Sequence, residues 1–384
     1  MSIKAIILII LGSAVLILAI LLWFQRTRRR GSRRSAYIDA LYALIDGRRD
    51  DALQLLTNAV RNGESDVDAY LQLGNLLREK NKPEKALQLH RGLSVRRDLG
   101  YEDEKRIQLA IADDLASLNK IDKSIATLEA VHRRKKDREV ILKLHTLYHR
   151  AGDYERAHDM LKELSRFDAG ITAAERAAYL ATVSYTLYRS GATEEAKKYL
   201  GKAEREHRQS PPALYVAGTL AMEEQDMKTA ARMWELLLQT DVAYFADAIP
   251  LLEKALYQSG RFQELEHLLV DLIERNPGRP SLVGSLASFY EKKGEIERAI
   301  EILEAERESF DLGSIESARL AALYIHAGRV EEARSVLEAF DTNMKQPAIY
   351  YCSACGNHAD MPLGYCSDCA RFNTFEKGYE KIKD

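Results

Sequence analysis

The chain has 384 residues, of which 30% are charged and 46% apolar, with eight prolines. That balance excludes a disordered polypeptide and fits a helical protein, built as two or three domains or as one long repeat array. The net charge of -2 conceals an asymmetry: six arginines and no acid stand in residues 26–34, so the remainder is acidic overall.

Residues 5–24 carry no charge and read AIILIILGSAVLILAILLWF. At about 1.5 Å per residue, twenty helical residues span roughly 30 Å, the thickness of a bilayer's hydrocarbon core. Trp23 sits at the end, where an amphipathic ring suits the interface. A basic linker over 25–35 follows, with Arg26, Arg28, Arg29, Arg30, Arg33 and Arg34. A cleavable leader has its charge before the apolar run, whereas here it comes after. The expectation is a single-pass anchor with the bulk of the chain on the cytoplasmic side. The arginines are then placed to touch anionic lipid heads.

Beyond the linker, residues 36–342 are self-similar. A turn position recurs nine times, at Gly47, Asn81, Asn119, Gly152, Gly191, Gln225, Gly260, Gly294 and Gly328. Five residues after each comes a mostly small residue: Ala52, Ala86, Ser124, Ala157, Ala196, Ala230, Leu265, Ala299 and Ala333. Seven residues before each turn stands a second such position: Ala40, Gly74, Ala112, His145, Ser184, Gly218, Glu253, Ala287 and Ala321. The eight intervals run from 33 to 39, and four of them are 34. Thirty-four is the length of a tetratricopeptide unit, a pair of helices whose small residues permit close approach. A plain bundle would not hold that register. The spacing predicts an all-α solenoid of nine units, with longer connections where the interval is 38 or 39.

Such units bury their apolar faces by stacking and leave an extended concave surface for protein recognition. Helix phase places residues one and four beyond the first small position on one face. The candidates for a partner groove are Asn75, Arg78, Asp113, Tyr185, Tyr188, Lys254 and Tyr257.

All four cysteines lie near the end, as Cys352-x2-Cys355, ten residues, then Cys366-x2-Cys369. Two CxxC turns aim four thiolates at one centre, which suits zinc or a single iron. The module over 348–376 is too short for a core of its own, so metal binding would supply much of its fold. Four thiolates leave no open coordination position, so the site reads as structural. Tyr350, Tyr351, Tyr365, Phe372 and Phe375 are available to pack around it or to dock it on the last repeat. Nucleic-acid binding is not expected, because Arg371 and Lys377 stand beside Asp360, Asp368 and Glu376.

No catalytic residue emerges. GxxxxGK[ST], GxGxxG and GxSxG are absent. His145 and His149 are spaced for chelation, but HTLYH lacks the glutamate of HExxH, and His145 occupies a helix-packing position.

The order of parts resembles the lipopolysaccharide assembly protein B family, over nearly the whole chain. The resemblance is most specific in DVDAYLQLGNLLREKNKPEKALQLH, in the cysteine spacing, and in the aromatic pair before Cys352. It implies an adaptor at the cytoplasmic face of the bacterial inner membrane that works with other lipopolysaccharide assembly proteins. Such an adaptor would present the deacetylase of the lipid A pathway to the membrane AAA+ protease FtsH. It also implies a rubredoxin-like terminal module with Cys352, Cys355, Cys366 and Cys369 as ligands of one iron or zinc ion. The competing expectations are a general scaffold for envelope assembly and an electron carrier built on a single iron.

Overall fold

The computed structural model describes residues 36–61, 67–167, 171–240, 246–310, 312–338, 348–359, 361 and 363–379. The apolar stretch 5–24 and the arginines of 26–34 lie outside them. Among the described residues no helix is long and apolar enough to cross a membrane.

Eighteen α-helices are present among the described residues, arranged in sequence as nine helical hairpins. They are α1 (36–45), α2 (Arg49–Arg61), α3 (Val67–Glu79), α4 (Pro83–Ser94), α5 (Tyr101–Ser117), α6 (Ile121–Arg134), α7 (Arg138–Arg150), α8 (Tyr154–Phe167) and α9 (Ala173–Arg189). Next come α10 (Thr193–Glu206), α11 (Pro211–Glu223), α12 (Met227–Thr240), α13 (Ile249–Gln258), α14 (Glu264–Arg275), α15 (Pro280–Lys293), α16 (Ile296–Ser309), α17 (Ser314–His326) and α18 (Val330–Glu338). The described residues fall into two compact units that divide after Met160.

Every turn position read from the sequence has a positive φ, from 55° at Asn81 to 85° at Gly191. Glycine and asparagine tolerate that conformation, which ends the first helix of each pair. Gln225, at φ 63°, is the exception in residue type and adopts the same turn. The small positions of the second helices are sealed in the core, none more than 2% exposed.

At three small positions that carry a polar side chain, the partner helix of the hairpin satisfies it. Ser124 Oγ donates to the Ala112 carbonyl at 2.7 Å, and Ser184 Oγ to the Ala196 carbonyl at 2.7 Å. His145 Nδ1 lies 2.9 Å from the Ala157 carbonyl. Each of these contacts joins positions twelve residues apart across one hairpin, so no donor is buried unpaired there.

Volume is balanced across the hairpins too. Sixteen residues after Ala40, Ala112 and Ala287 stand the buried Leu56, Leu128 and Leu303. Where the first helix has glycine instead, the second helix has a larger residue, His90 opposite Gly74 and Trp234 opposite Gly218. A Cβ on Gly218 would meet Trp234 Nε1 at 2.5 Å. The ring therefore occupies the space that alanine would fill.

Repeats are also joined by aromatic latches. Tyr290 Oη donates to Glu266 at 2.9 Å, with the Arg298 guanidinium 4.4 Å over the ring. Tyr148 with Glu129 and Arg156, and Tyr324 with Glu304 and Arg329, repeat the arrangement.

The longer intervals do not simply lengthen the connections. Both α5 and α9 have 17 residues, against 13 in α3 and α7, so four residues in each are taken up by an extra helical turn.

The helical description ends at residue 338. Ala348–Cys352 (β1), His358–Ala359 (β2) and Phe375–Tyr379 (β3) form a three-stranded antiparallel sheet in the order β2-β1-β3. Tyr350 pairs with Ala359 on one side and Lys377 on the other.

Candidate functional site

The strand order places Cys352 at the end of the central strand, with the rest of its knuckle turning away toward β2. Gly356 takes φ 76° directly after Cys355, and Ala370 takes φ 55° after Cys369. Each knuckle thus reverses at the same point, by glycine in one case and by a strained alanine in the other. The two turns face each other. Cys352 Sγ lies 3.6 Å from Cys369 Sγ, and Cys355 Sγ lies 3.6 Å from Cys366 Sγ. All four sulfurs fall within 4.8 Å of one another. Cys352 and Cys366 are buried with Tyr350 and Phe375, and Cys355 is exposed.

Thiols this crowded cannot all ionise without a counter-charge. Burial opposes ionisation of Cys352, but the Thr374 hydroxyl and the amides of Ala354 and Cys355 outweigh it and bring the thiol down to about 6. Burial, with the neighbouring thiols, pushes Cys369 up to about 12. A cation at the centre removes that conflict, since coordination favours the thiolate form. The donor set, the separation and the absence of a fifth ligand side chain among the described residues fit one tetrahedrally held metal ion. The four cysteines could hold such an ion.

The module docks away from the last repeat. Tyr365, fully buried, meets the fully buried Tyr179 of α9 edge-on, with centroids 5.0 Å apart and planes at 88°. Next to it, a Cβ on Gly364 would lie 2.6 Å from Ala178 Cβ and 3.1 Å from Pro212 Cγ, so glycine permits the close approach of α9 and α11. At the other edge, Tyr350 Oη and Lys377 Nζ both donate to Asp247 Oδ2, each at 2.8 Å. Among the described residues the seat is therefore made by the fifth and sixth hairpins and the short 3₁₀ turn Ala246–Ala248 rather than by α17 and α18. Of the two expectations for the aromatics, packing around the site holds for Tyr350 and Phe375, and docking on the last repeat is corrected. Phe372 packs on Tyr365 from within the module, with centroids 5.1 Å apart and planes tilted by 55°.

The groove candidates divide into two sets. In the first unit, Asn75, Arg78 and Asp113 are brought together, but within a network of the chain's own making. Arg78 donates to Asp114 Oδ1 at 2.8 Å and to Asn75 Oδ1 at 2.9 Å, and reaches Asp113 at 3.8 Å. Asp114, fully buried, also holds His90 Nδ1 at 2.6 Å. Lys143 pairs with Asp113. The partner of Arg78 that matters most, Asp114, was not singled out by helix phase. Its signal was the acidic pair Asp113-Asp114 in the mainly apolar second half of that helix.

In the second unit, Tyr185 and Tyr188 lie together with ring centroids 6.3 Å apart. The Arg189 guanidinium stands 5.9 Å over Tyr185. Tyr257 is 71% exposed and Lys254 is exposed, both on α13. The HTLYH pair gives no chelate: His145 is buried at the helix contact described above, and burial pushes it down to about 4.

Comparison with known proteins bears on both parts. The chain is 19% identical over 345 residues to lipopolysaccharide assembly protein B of Escherichia coli strain K12, which covers 88% of each chain. The resemblance to that family holds, as a distant one. The protein of the same name from Escherichia coli O157:H7 gives the same figures. The Tetratricopeptide repeat family matches residues 40–93, from the middle of α1 nearly to the end of α4, the first two hairpins. Among solved structures, a tetratricopeptide repeat protein from Parabacteroides merdae is 12% identical, with a TM-score of 0.34, over 80% of this chain and 98% of that one. MamA from Desulfovibrio magneticus RS-1 is 18% identical, with a TM-score of 0.32, over 42% of this chain and 92% of that one.

Proposed function

We propose that this protein is an adaptor for lipopolysaccharide assembly, held at the cytoplasmic face of the inner membrane by residues 5–24 and their arginines. In this reading it presents the deacetylase of the lipid A pathway to the membrane protease FtsH and so restrains lipopolysaccharide production. One observation carries it: the similarity to lipopolysaccharide assembly protein B runs through 88% of both chains. Nine helical hairpins offer protein-binding faces, with Tyr185, Tyr188, Lys254 and Tyr257 as the contacts first to be tested. Cys352, Cys355, Cys366 and Cys369 hold one iron or zinc ion. When bound, that ion supplies a cross-link and the counter-charge for four thiolates. The protein's own part is to aim the sulfurs by two turns and to seat the module on α9 and α11.

The test is to deplete the protein in cells and follow the half-life of the deacetylase. A longer half-life is expected, and an unchanged one would overturn the proteolytic reading. Purification from native membranes should recover the protease. Recovery of assembly components without any protease would favour the scaffold instead. Purified protein that is colourless and loaded with zinc would remove the electron carrier.

A further inference from the structure

Between α10 and α12, beside the start of α11, a cleft of about 690 Å³ opens in the second unit. Its floor is apolar. Leu214 is buried there, and the half-buried Met233 and Leu236 pack on the same core. Its edge carries Arg205, Arg208 and Arg232, all exposed.

Several arginines elsewhere in this unit are matched to acids. Arg176, Arg261, Arg275, Arg298, Arg319 and Arg329 each hold a carboxylate. None of the three at the cleft has an ionic partner among the described residues. Arg205 Nε donates only to the Gly201 carbonyl of its own helix, at 2.9 Å. Two acids do line the cleft. Glu235 is engaged by Arg261 at 3.4 Å, and Glu204 is a single exposed charge. The cleft keeps an excess of positive charge over an apolar floor.

The local backbone argues against a helix-start phosphate site. A phosphate site at a helix start uses the free amides of the first turn. Here α11 begins with Pro211 and Pro212, which remove two of those donors. What remains is side-chain guanidinium, suited to carboxylates, with Gln209 and Gln239 at hand for main-chain amides. We propose that this cleft binds an acidic, amphipathic segment of a partner protein, its carboxylates on Arg205, Arg208 and Arg232 and an apolar side chain on the Leu214–Met233–Leu236 floor. The site lies apart from the candidate groove residues of the first helices, and the inference does not depend on the lipopolysaccharide reading.

Fluorescence anisotropy with the full chain tests it. The probe is a labelled peptide of about twelve residues alternating glutamate and leucine, with a glutamine–leucine peptide as control. Saturable binding of the first peptide alone is expected, weakening as salt rises from about 50 to about 300 mM. The double variant Arg208→Glu/Arg232→Glu should bind more than tenfold more weakly with unchanged circular dichroism. Arg275→Glu, whose arginine pairs with Asp271 elsewhere, should bind as the parent does. The proposal is overturned by absence of binding, by equal affinity for the glutamine peptide, or by an Arg208→Glu/Arg232→Glu variant that binds normally. Displacement of the peptide by equimolar inorganic phosphate would likewise overturn it in favour of a simple anion site.

Discussion

Tyr365 of the cysteine module stands edge-on against Tyr179 of α9, both rings fully buried and 5.0 Å apart. The contact ties a four-thiol centre to the middle of a helical repeat, 186 residues away in sequence. Since Cys366 follows Tyr365 directly, one side of the module faces the repeat and its neighbour carries a sulfur. Packing on α9 and order at the thiols are thereby coupled.

Tyr365→Ala should release the module. Removing a fully buried ring costs about 3–5 kcal/mol, more than the half-exposed Asp247 contacts can offset. Hydrogen exchange should show faster exchange over 348–379 and over the first turns of α9, with α14–α18 unchanged. Asp247→Ala should give a smaller effect, about 1 kcal/mol, because Asp247 is 52% exposed. Equal effects of the two changes would place the anchor at the wrong edge.

Gly218→Ala should destabilise, against the ordinary preference of helices for alanine. Propensity alone favours the change by about 1 kcal/mol. The new Cβ would lie 2.5 Å from Trp234 Nε1, and overpacking of that kind costs about 1–3 kcal/mol or more. Urea denaturation should show the loss in the parent and a smaller one in a Trp234→Leu background. The same cost in both backgrounds would show that the ring is not the obstacle.

Much of the fold was legible because the repeat imposes a local constraint. A positive φ admits few residue types, so Gly47, Asn81 and their equivalents mark every hairpin. Burial against a neighbouring helix selects small residues such as Ala86 and Ala299 at a fixed distance from that turn. The thiol cluster was legible for the same reason, since CxxC spacing and chelation are both local. The exchanges Gly74 with His90 and Gly218 with Trp234 were present in the sequence but need two positions to be read together. The seat of the module was not legible at all. Tyr179, Ala178 and Pro212 occupy no position that the repeat marks, and no period connects them to Gly364 or Tyr365. The extra turns of α5 and α9 were hidden because interval length alone does not distinguish helix from loop.

Acid should destabilise the repeat through His145. Its ordinary value of 6.5 falls to about 4 in the folded chain, chiefly by burial. Between those values the unfolded chain binds a proton that the folded chain refuses, so stability is lost as pH falls from 6.5 towards 4. The loss from this residue is roughly 2 kcal/mol between pH 7 and pH 5. Comparing denaturation of the parent and His145→Ser at the two pH values isolates it. The variant should be less stable at pH 7 and lose less on acidification. An identical pH slope would mean that His145 is not the group responsible.

Replacing Cys352 and Cys355 by serine should abolish metal binding and unfold residues 348–379 while sparing the helices. Cys352 ends the central strand and is packed with Cys366, Tyr350 and Phe375, so its loss removes both a ligand and part of a very small core. The helical hairpins carry their own buried cluster, from Leu214 to Val336 in the second unit, and do not draw on the sulfurs. Circular dichroism should therefore retain nearly all its helical signal, while metal analysis falls from one ion per chain to none. Tyr179, exposed by undocking, should become accessible to modification in the variant and protected in the loaded parent. Retention of one ion per chain in the double serine variant would refute the assignment of the ligands. A collapse of the helical signal would show instead that the module is required to fold the repeats beneath it.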